Sequence, residues 1–290
     1  MPVINTNASA LNAQNVLKIN NREMNSAMQQ LASGTKVGSA KDDAAGLAIG
    51  QTMTSQIRGL NQAVRNANDG VNMLQTAEGA MVEQTNMLQR MRELAVQSAN
   101  STNSKEQRDY LNNEFQQLGS QIGAIGDQTM WNSTHVLDAG TMKFQVGSLS
   151  GQTISLALSS VSLSGLSIVS EVVTTPPGTG AVATTATTML TIAGSTGSAA
   201  SAALDTLDNA LTTINSQRSK IGATINRLTY AADNLSNTSS NLSASRSAIM
   251  DTDYATASSQ LSKNQIIQQA ATAMLAQANQ QPQSVLSLLK

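Results

Sequence analysis

The chain has 290 residues, with 17 Lys and Arg against 18 Asp and Glu, one His, no Cys, and only one Trp, three Tyr and two Phe. So few aromatics argue against the core of a conventional globular enzyme, because Phe, Tyr and Trp usually supply its largest pieces. A net charge of −1 gives no electrostatic ground for binding nucleic acid or an anionic membrane, and the lack of cysteine excludes disulfides, thiolate metal sites and a cysteine nucleophile.

The first 21 residues lack the basic, apolar and small-residue succession of a secretory signal peptide. No window of about 18 residues is continuously apolar, so no membrane span is predicted. The 25 Asn and 26 Gln together outnumber the charged residues. Amides suit buried or half-buried contacts between chains, where they hydrogen-bond without the desolvation cost of a charge. The four prolines stand at 2, 176, 177 and 282, which leaves residues 3 to 175 free to be helical.

The N-terminal segment carries Leu17, Met24 and Leu31 seven apart, with Ala27 and Met28 on the same face, and predicts a helix. A connector follows, Ser33 to Gly46, whose glycines 34, 38 and 46 permit non-helical backbone. Asp42 and Asp43 sit just before the next helix, where carboxylates favour the positive helix end. From Met53 the apolar positions run Ile57, Leu60, Val64, Ala67, Val71, Leu74, a heptad seam that continues through Ala77, Met81, Leu88, Met91 and Ala95. It predicts one helix over about 44–98, roughly 80 Å long at ~1.5 Å per residue.

The segment 101–104, Ser-Thr-Asn-Ser, supplies turn and N-cap chemistry. Leu111, Phe115, Leu118, Ile122 and Ile125 then predict a shorter helix of roughly 25 residues. From Phe144 to Leu204 the only charged residue is Glu171. Thr153 to Leu158 alternates as a half-buried strand does, and Thr174-Thr175-Pro176-Pro177-Gly178 reads as a turn or loop, so 141–195 is expected to form short strands and loops. The seam returns as Leu204, Leu207, Leu211, Ile214, Ile221, Ile225, Leu228 and onward to Ile249, interrupted at Arg218, Ser239 and Arg246. Leu261, Ile267, Ala271, Met274 and Ala278 predict a last helix, entered after Asp251 and Asp253.

Each of these stripes must be covered by another, so the expected fold is mainly α: a long antiparallel coiled-coil-like helical bundle with a small β/loop insert at its hairpin end. Catalysis finds no support. His135 has no second histidine for a zinc pair, and Asp138 is too close in a turn-like stretch for a triad. The paired aspartates read as helix-end groups, and no glycine pattern cradles phosphate. No catalytic residue, cofactor or metal site is predicted, and 13 methionines serve adaptable packing. Gln89 to Glu93, read alone, is a solvated charged face.

The motifs nevertheless resemble those of a known family. Val3-Ile4-Asn5-Thr6-Asn7, Leu31-Ala32-Ser33-Gly34, Ser39 to Ile49, Arg58 to Ala63 and Gln75 to Gly79 come in the order found in bacterial flagellins. Leu88-Gln89-Arg90-Met91-Arg92-Glu93-Leu94-Ala95-Val96-Gln97 is similar to a hallmark segment of that family. Asp251 to Ala255, Leu275 to Gln280 and Pro282 to Lys290 resemble its ending. The resemblance covers roughly 1–140 and 200–290.

It implies a structural subunit that polymerises into the extracellular flagellar filament for motility, exported by the flagellar type III apparatus with an uncleaved N-terminus. Terminal helices 1–43 and 251–290 would form the inner tube, 44–140 and 200–250 a helical shell, and 141–199 a surface-exposed insert. Implied partners are further copies of the chain, an export chaperone at the C-terminal helices, hook-junction and cap proteins, and the host flagellin-sensing Toll-like receptor. Positions matching the family's receptor contacts are Gln89, Arg90, Glu93, Leu94 and Glu114, with Leu94 filling an apolar hollow.

Leu17, Met24, Leu31, Leu275, Val285, Leu286 and Leu289 belong to terminal segments too short to bury their apolar faces alone, so they are expected to order on assembly. Only about 60 residues lie between the helical regions, so no separate outer domain is expected. Where relatives carry Phe-Asn-Gly, this chain has Trp131-Asn132-Ser133, which weakens the expectation of a tight turn there. Ser and Thr hydroxyls in 148–200 are either glycan acceptors or plain surface loop. A hook–filament junction protein and a secreted flagellin-like binding protein are the alternatives.

Overall fold

The computed structural model describes residues 7–162, 164–174 and 184–288. The opening Val3 to Thr6, the turn at Thr175 to Gly178, and Leu289 lie outside the described residues. In chain order the helices are α1 (Ala8–Ser33), α2 (Ala44–Ala99), α3 (Lys105–Gln128), α4 (Ser198–Met250) and α5 (Tyr254–Leu288). Between α3 and α4 lie strands β1 (Met130–Trp131), β2 (Thr134–His135), β3 (Gly140–Gln145), β4 (Thr153–Leu158), β5 (Val169–Thr174) and β6 (Thr184–Met189). Mainly α with a small β/loop insert is thus what forms.

Two compact units are built from these elements, one from residues up to 58 and from 239 onward, the other from residues 59–238. Helices α2 and α4 contribute to both.

In the first unit α1 and α5 pack antiparallel, and Asn7 Nδ2 donates to the Ala278 carbonyl at 2.7 Å. Asn7 also caps α1 by accepting from the Ala10 amide at 3.1 Å. The helix ends at Gly34, whose φ of 70° is the left-handed C-cap that glycine adopts without strain. Asp42 folds back onto Ser39, accepting from its hydroxyl at 2.7 Å, and this bond holds its carboxyl below the ordinary range. Asp43 opens α2 by accepting from the Gly46 amide at 2.9 Å. The two chain reversals are clipped together: the Lys36 amide donates to Met250 O at 2.7 Å and the Thr252 amide to Gly34 O at 3.0 Å. Asp253 then caps α5 through the Ala255 amide and Thr256 hydroxyl, and these bonds lower its pKa.

Leu17, Met24 and Leu31 are half-buried in this unit, but Met28 and Met274 point outward, against the expectation that they share the packed face. Each follows a packed residue by one helical step or precedes one, about 100° away from the seam.

In the second unit Leu74, Met81, Leu88 and Met91 of α2 meet Phe115 and Ile122 of α3 and Leu207 and Ile214 of α4 in one core, all fully buried. The seam of α4 passes through buried Gln217 and Thr224. Arg218, placed in the seam by apolar counting, is instead half-exposed beside Glu78 at 3.8 Å, because the buried row Leu207, Ala210, Ile214, Gln217, Ile221 steps by three and four past it. Helix α3 starts with a reciprocal capping box between Ser104 and Gln107.

The strands form three antiparallel pairs, β1 with β2, β3 with β4, and β5 with β6. On β4 the alternation read from sequence is realised, with Ile154, Leu156 and Leu158 buried. With Leu166, Ile168 and Ile192 they belong to the core, so much of the apolar content of 141–199 packs inward. The β1–β2 hairpin is tight in spite of its missing glycine. Asn132 and Ser133 have φ of 47° and 63°, the two-residue geometry whose twist matches the flanking strands. Asn tolerates this region, whereas Ser has no such allowance. Ser133→Gly is therefore expected to stabilise the protein by about 1 kcal/mol, read as a higher urea midpoint at unchanged slope.

Candidate functional site

Helix α2 turns two faces to its surroundings between Leu88 and Gln97. Leu88, Met91, Leu94 and Ala95 recur at helical spacing and are buried. Gln89, Arg90, Arg92, Glu93, Val96 and Gln97 lie on the opposite side and are exposed. The heptad that fills the core thus leaves a polar ridge outside.

Arg90 joins two helices across that ridge. Its Nε and Nη2 both reach Glu114 Oε1 of α3 at 2.9 Å, and Nη1 reaches Glu93 Oε2 at 3.0 Å. Bonds to Glu93 and then Glu114 raise the guanidinium pKa further above its ordinary value. All three side chains are largely exposed, so these pairs orient the ridge and add little stability. Arg92 faces the other way, to Asp208 of α4, with Nε to Oδ1 at 2.7 Å and Nη2 to Oδ2 at 3.4 Å. This fork holds the Asp208 carboxyl below its ordinary value.

Of the five residues singled out as receptor contacts, Gln89, Arg90, Glu93 and Glu114 are brought together at the surface. Leu94 is not: it is 1% exposed and part of the core, so it offers nothing to an external hollow. The exposed apolar side chain on the ridge is Val96, which with Gln89, Arg92, Glu93 and Gln97 lines a shallow groove. Its signal was present in the sequence, since Gln89, Glu93 and Val96 are four and three apart.

Sequence reasoning also missed Arg108, a buried cation at the start of α3. It donates to the carbonyls of Ser98 at 2.9 Å and Asn100 at 3.1 Å, closing the turn at the negative end of α2. His135 is half-buried in β2 opposite Met130. Among the described residues no group of three acidic or His side chains is disposed to hold a metal, and no helix is long and apolar enough to cross a membrane.

A second candidate surface lies on α1 and α5. Leu17, Met24, Leu31 and Leu275 are half-buried in the pairing of these helices. Leu11, Val16 and Ile19 on α1, and Ile266 and Met274 on α5, are exposed. Counting seams finds Leu17, Met24 and Leu31, passes over Leu11, Val16, Ile19 and Ile266, and takes the exposed Met274 as packed. Val285 and Leu286 belong to the last turns of α5, with side chains outside the described set, and Leu289 lies outside the described residues altogether.

Comparison with known proteins adds a family to this geometry. A model of the bacterial flagellin N-terminal helical region matches residues 4–141, and one of the bacterial flagellin C-terminal helical region matches residues 204–289. A flagellin of Halalkalibacterium halodurans is 44% identical over 99% of this chain and 100% of its own length. One of Bacillus subtilis is 38% identical over 99% of each. A crystal structure of Bacillus cereus flagellin, 26% identical, covers 59% of this chain and 88% of its own, with a TM-score of 0.47.

The Arg92–Asp208 pair sets a pH dependence. Because the folded Asp208 pKa lies below its unfolded value, its contribution is present above the ordinary carboxylate range and is lost as pH falls through the folded value. Asp208→Asn is expected to lower the thermal midpoint slightly at neutral pH and low salt, with the difference vanishing in strong acid and shrinking in high salt. A difference that persists in strong acid would contradict this origin.

Proposed function

The chain belongs to the bacterial flagellin family and is a structural subunit of the extracellular flagellar filament, and on that premise we propose which of its surfaces make the contacts. Helices within 1–43 and 251–290 form the inner tube, 44–140 and 200–250 the surrounding shell, and 141–199 the outward part. The observation that carries the assignment is the second row of apolar side chains on α1 and α5, exposed after these two helices have paired.

The α1–α5 seam buries chiefly alanines, among them Ala10, Ala27, Ala257 and Ala271. Such burial removes little apolar area from water compared with Leu or Ile, while ordering some sixty residues carries a large entropic cost. Further copies packing on Leu11, Val16, Ile19, Ile266 and Met274 supply what the isolated pair lacks. Leu17, Met24, Leu31, Leu275, Val285, Leu286 and Leu289 make the inner contacts of the same assembly. Before export, a chaperone at the C-terminal helices covers the same exposed face of α5. Hook-junction and cap proteins meet the terminal helices at the ends of the polymer.

The ridge of Gln89, Arg90, Glu93 and Glu114 is the proposed contact for the host flagellin-sensing Toll-like receptor. Arg90 is its centre: a planar fork already held between two carboxylates is a preorganised donor for an acceptor on a partner. Leu94 acts from beneath, by seating the helix that carries the ridge.

Two experiments test these assignments. Limited proteolysis of unassembled protein is expected to trim both ends to a core near 45–250, whereas seeded filaments, seen as tubes with a central channel by electron microscopy, resist. Full protection of the ends in unassembled protein would refute ordering on assembly. Arg90→Ala in soluble full-length protein is expected to weaken activation of receptor-bearing cells by about tenfold, as for a central interface arginine. Wild-type potency would remove Arg90 from the contact.

A further inference from the structure

Polar residues interrupt both seams of the α1–α5 pair at the same place. On α1 the inward row is Ala10, Ala13, Leu17, Asn20, Met24, Ala27, stepping by three and four. On α5 it is Ala257, Leu261, Asn264, Gln268, Ala271, Leu275, with the same steps. Asn20 and Asn264 are both buried, at 4% and 1% exposure. Asn20 Nδ2 donates to the Asn264 carbonyl at 2.8 Å, which places the two amides in one layer. Counting outward from that layer sets Met24 opposite Leu261, Ala27 opposite Ala257, and Ala13 opposite Ala271. The bond from Asn7 to Ala278 lies on the same alignment.

We infer that the Asn20–Asn264 layer sets the register in which α1 and α5 pair. The apolar residues do not set it alone. Sliding α5 by one heptad keeps small against small, with Ala13 opposite Ala278, and exchanges one large apolar pair for another: Leu17 gains Leu275 in place of Gln268, while Met24 gains Gln268 in place of Leu261. The amides respond differently. In the slipped alignment Asn20 faces Ala271 and Asn264 faces Ala27, so one buried polar layer becomes two, each against an alanine methyl. A backbone carbonyl is within reach of Asn20 at any register, so that bond does not discriminate; the company of the second amide does. In the observed alignment the Gln268 side chain also donates to the Asn21 side chain at 3.0 Å.

The layer is costly as a source of stability. Asn264 Nδ2 is buried without a hydrogen-bond partner, and an unpaired buried donor opposes folding. A buried asparagine at a heptad position is the known device by which a coiled coil gives up stability to specify register. The register matters here because it decides where Leu11, Val16 and Ile19 stand along the helix pair relative to Ile266 and Met274, and so the shape of the outer apolar face. The inference concerns pairing within one chain and rests on the reading that the terminal helices are ordered in the filament; closure of the first pair in the parent filament separates failure of that reading from failure of the inference.

The chain has no cysteine, so engineered pairs report the register directly. Ala27→Cys with Ala257→Cys reads the observed alignment. Ala13→Cys with Ala278→Cys reads a one-heptad slip, since these positions are otherwise separated by about 10 Å along the axis, beyond disulfide reach. Each pair is oxidised in seeded filaments, where the terminal helices are ordered, and the intrachain bond is identified by peptide mass after dissociation. In the parent sequence the first pair closes and the second stays at background. With Asn20→Leu and Asn264→Leu together, closure of the slip pair is expected to rise roughly tenfold and that of the first pair to fall, while helical content by circular dichroism is retained or increased. Closure of the first pair alone, as in the parent, overturns the inference. Loss of both closures with loss of helicity also overturns it, because the amides would then be needed for pairing itself.

Discussion

Helix α2 runs for 56 residues and carries one apolar stripe that it has no means of covering itself. In the second unit that stripe leaves water because α4 and α3 bring stripes of the same period to meet it. Ala67, Leu74, Met81, Leu88 and Met91 are fully buried against residues such as Leu207, Ile214, Ile221, Phe115 and Ile122. Helices packed this closely leave thin layers between them, and Leu, Ile, Met and Ala fill such layers without large rings. Phe115 is the one fully buried aromatic of that core, with Phe144 and Trp131 half-buried against it. The shortage of aromatics is thus a consequence of helix-on-helix packing, and among the described residues the strands flank that same core through Ile154, Leu156 and Leu158, with Met142 and Phe144 half-buried against it.

Long uniform seams carry a second problem, which is that many alignments bury similar area. The polar residues inside the seams bear on it. In the second unit Gln84 is fully buried and donates to the carbonyls of Ile122 and Val161, so it pins α2 to both α3 and the segment after β4. Arg108 does similar work at the end of α2, with carbonyl oxygens in place of a carboxylate partner. In the first unit Asn20 and Asn264 occupy the equivalent situation. A buried amide or cation that must be satisfied penalises every arrangement in which it is not. The amide-rich composition therefore acts inside the chain.

Function follows from what the same helices leave outside. A subunit of a helical polymer needs faces that are unfinished in isolation, and α1 and α5 retain an exposed apolar row after pairing. On α2 the period that places Leu88, Met91 and Leu94 in the core fixes Gln89, Arg90 and Glu93 on the ridge. Core and surface are therefore coupled: no residue of the hallmark segment changes face without moving its neighbours.

By itself the sequence determined the helices and their partners in kind. The heptads of α2 and α4, the Ser104 cap, the alternation of β4 and the order of the family motifs are local patterns, legible because a helix or strand exposes its own period. It also led to the family, and of the five residues that the resemblance singled out four stand exposed on the ridge or beside it. Only the tertiary structure decided the rest, since it depends on which residues the partner element brings. A two-state count of apolar and polar residues skipped Gln217 for Arg218 and took Met28 and Met274 as packed, and the family resemblance sent Leu94 outward while Val96 went unnoticed. The tight turn at Asn132 and Ser133 was disfavoured by local preference and forms because strand pairing on both sides requires it. Burial of Asn20, Asn264, Gln84 and Arg108 was invisible for the same reason: a polar side chain goes inside only where a neighbour far along the chain presents an acceptor, and that neighbour is supplied by the fold.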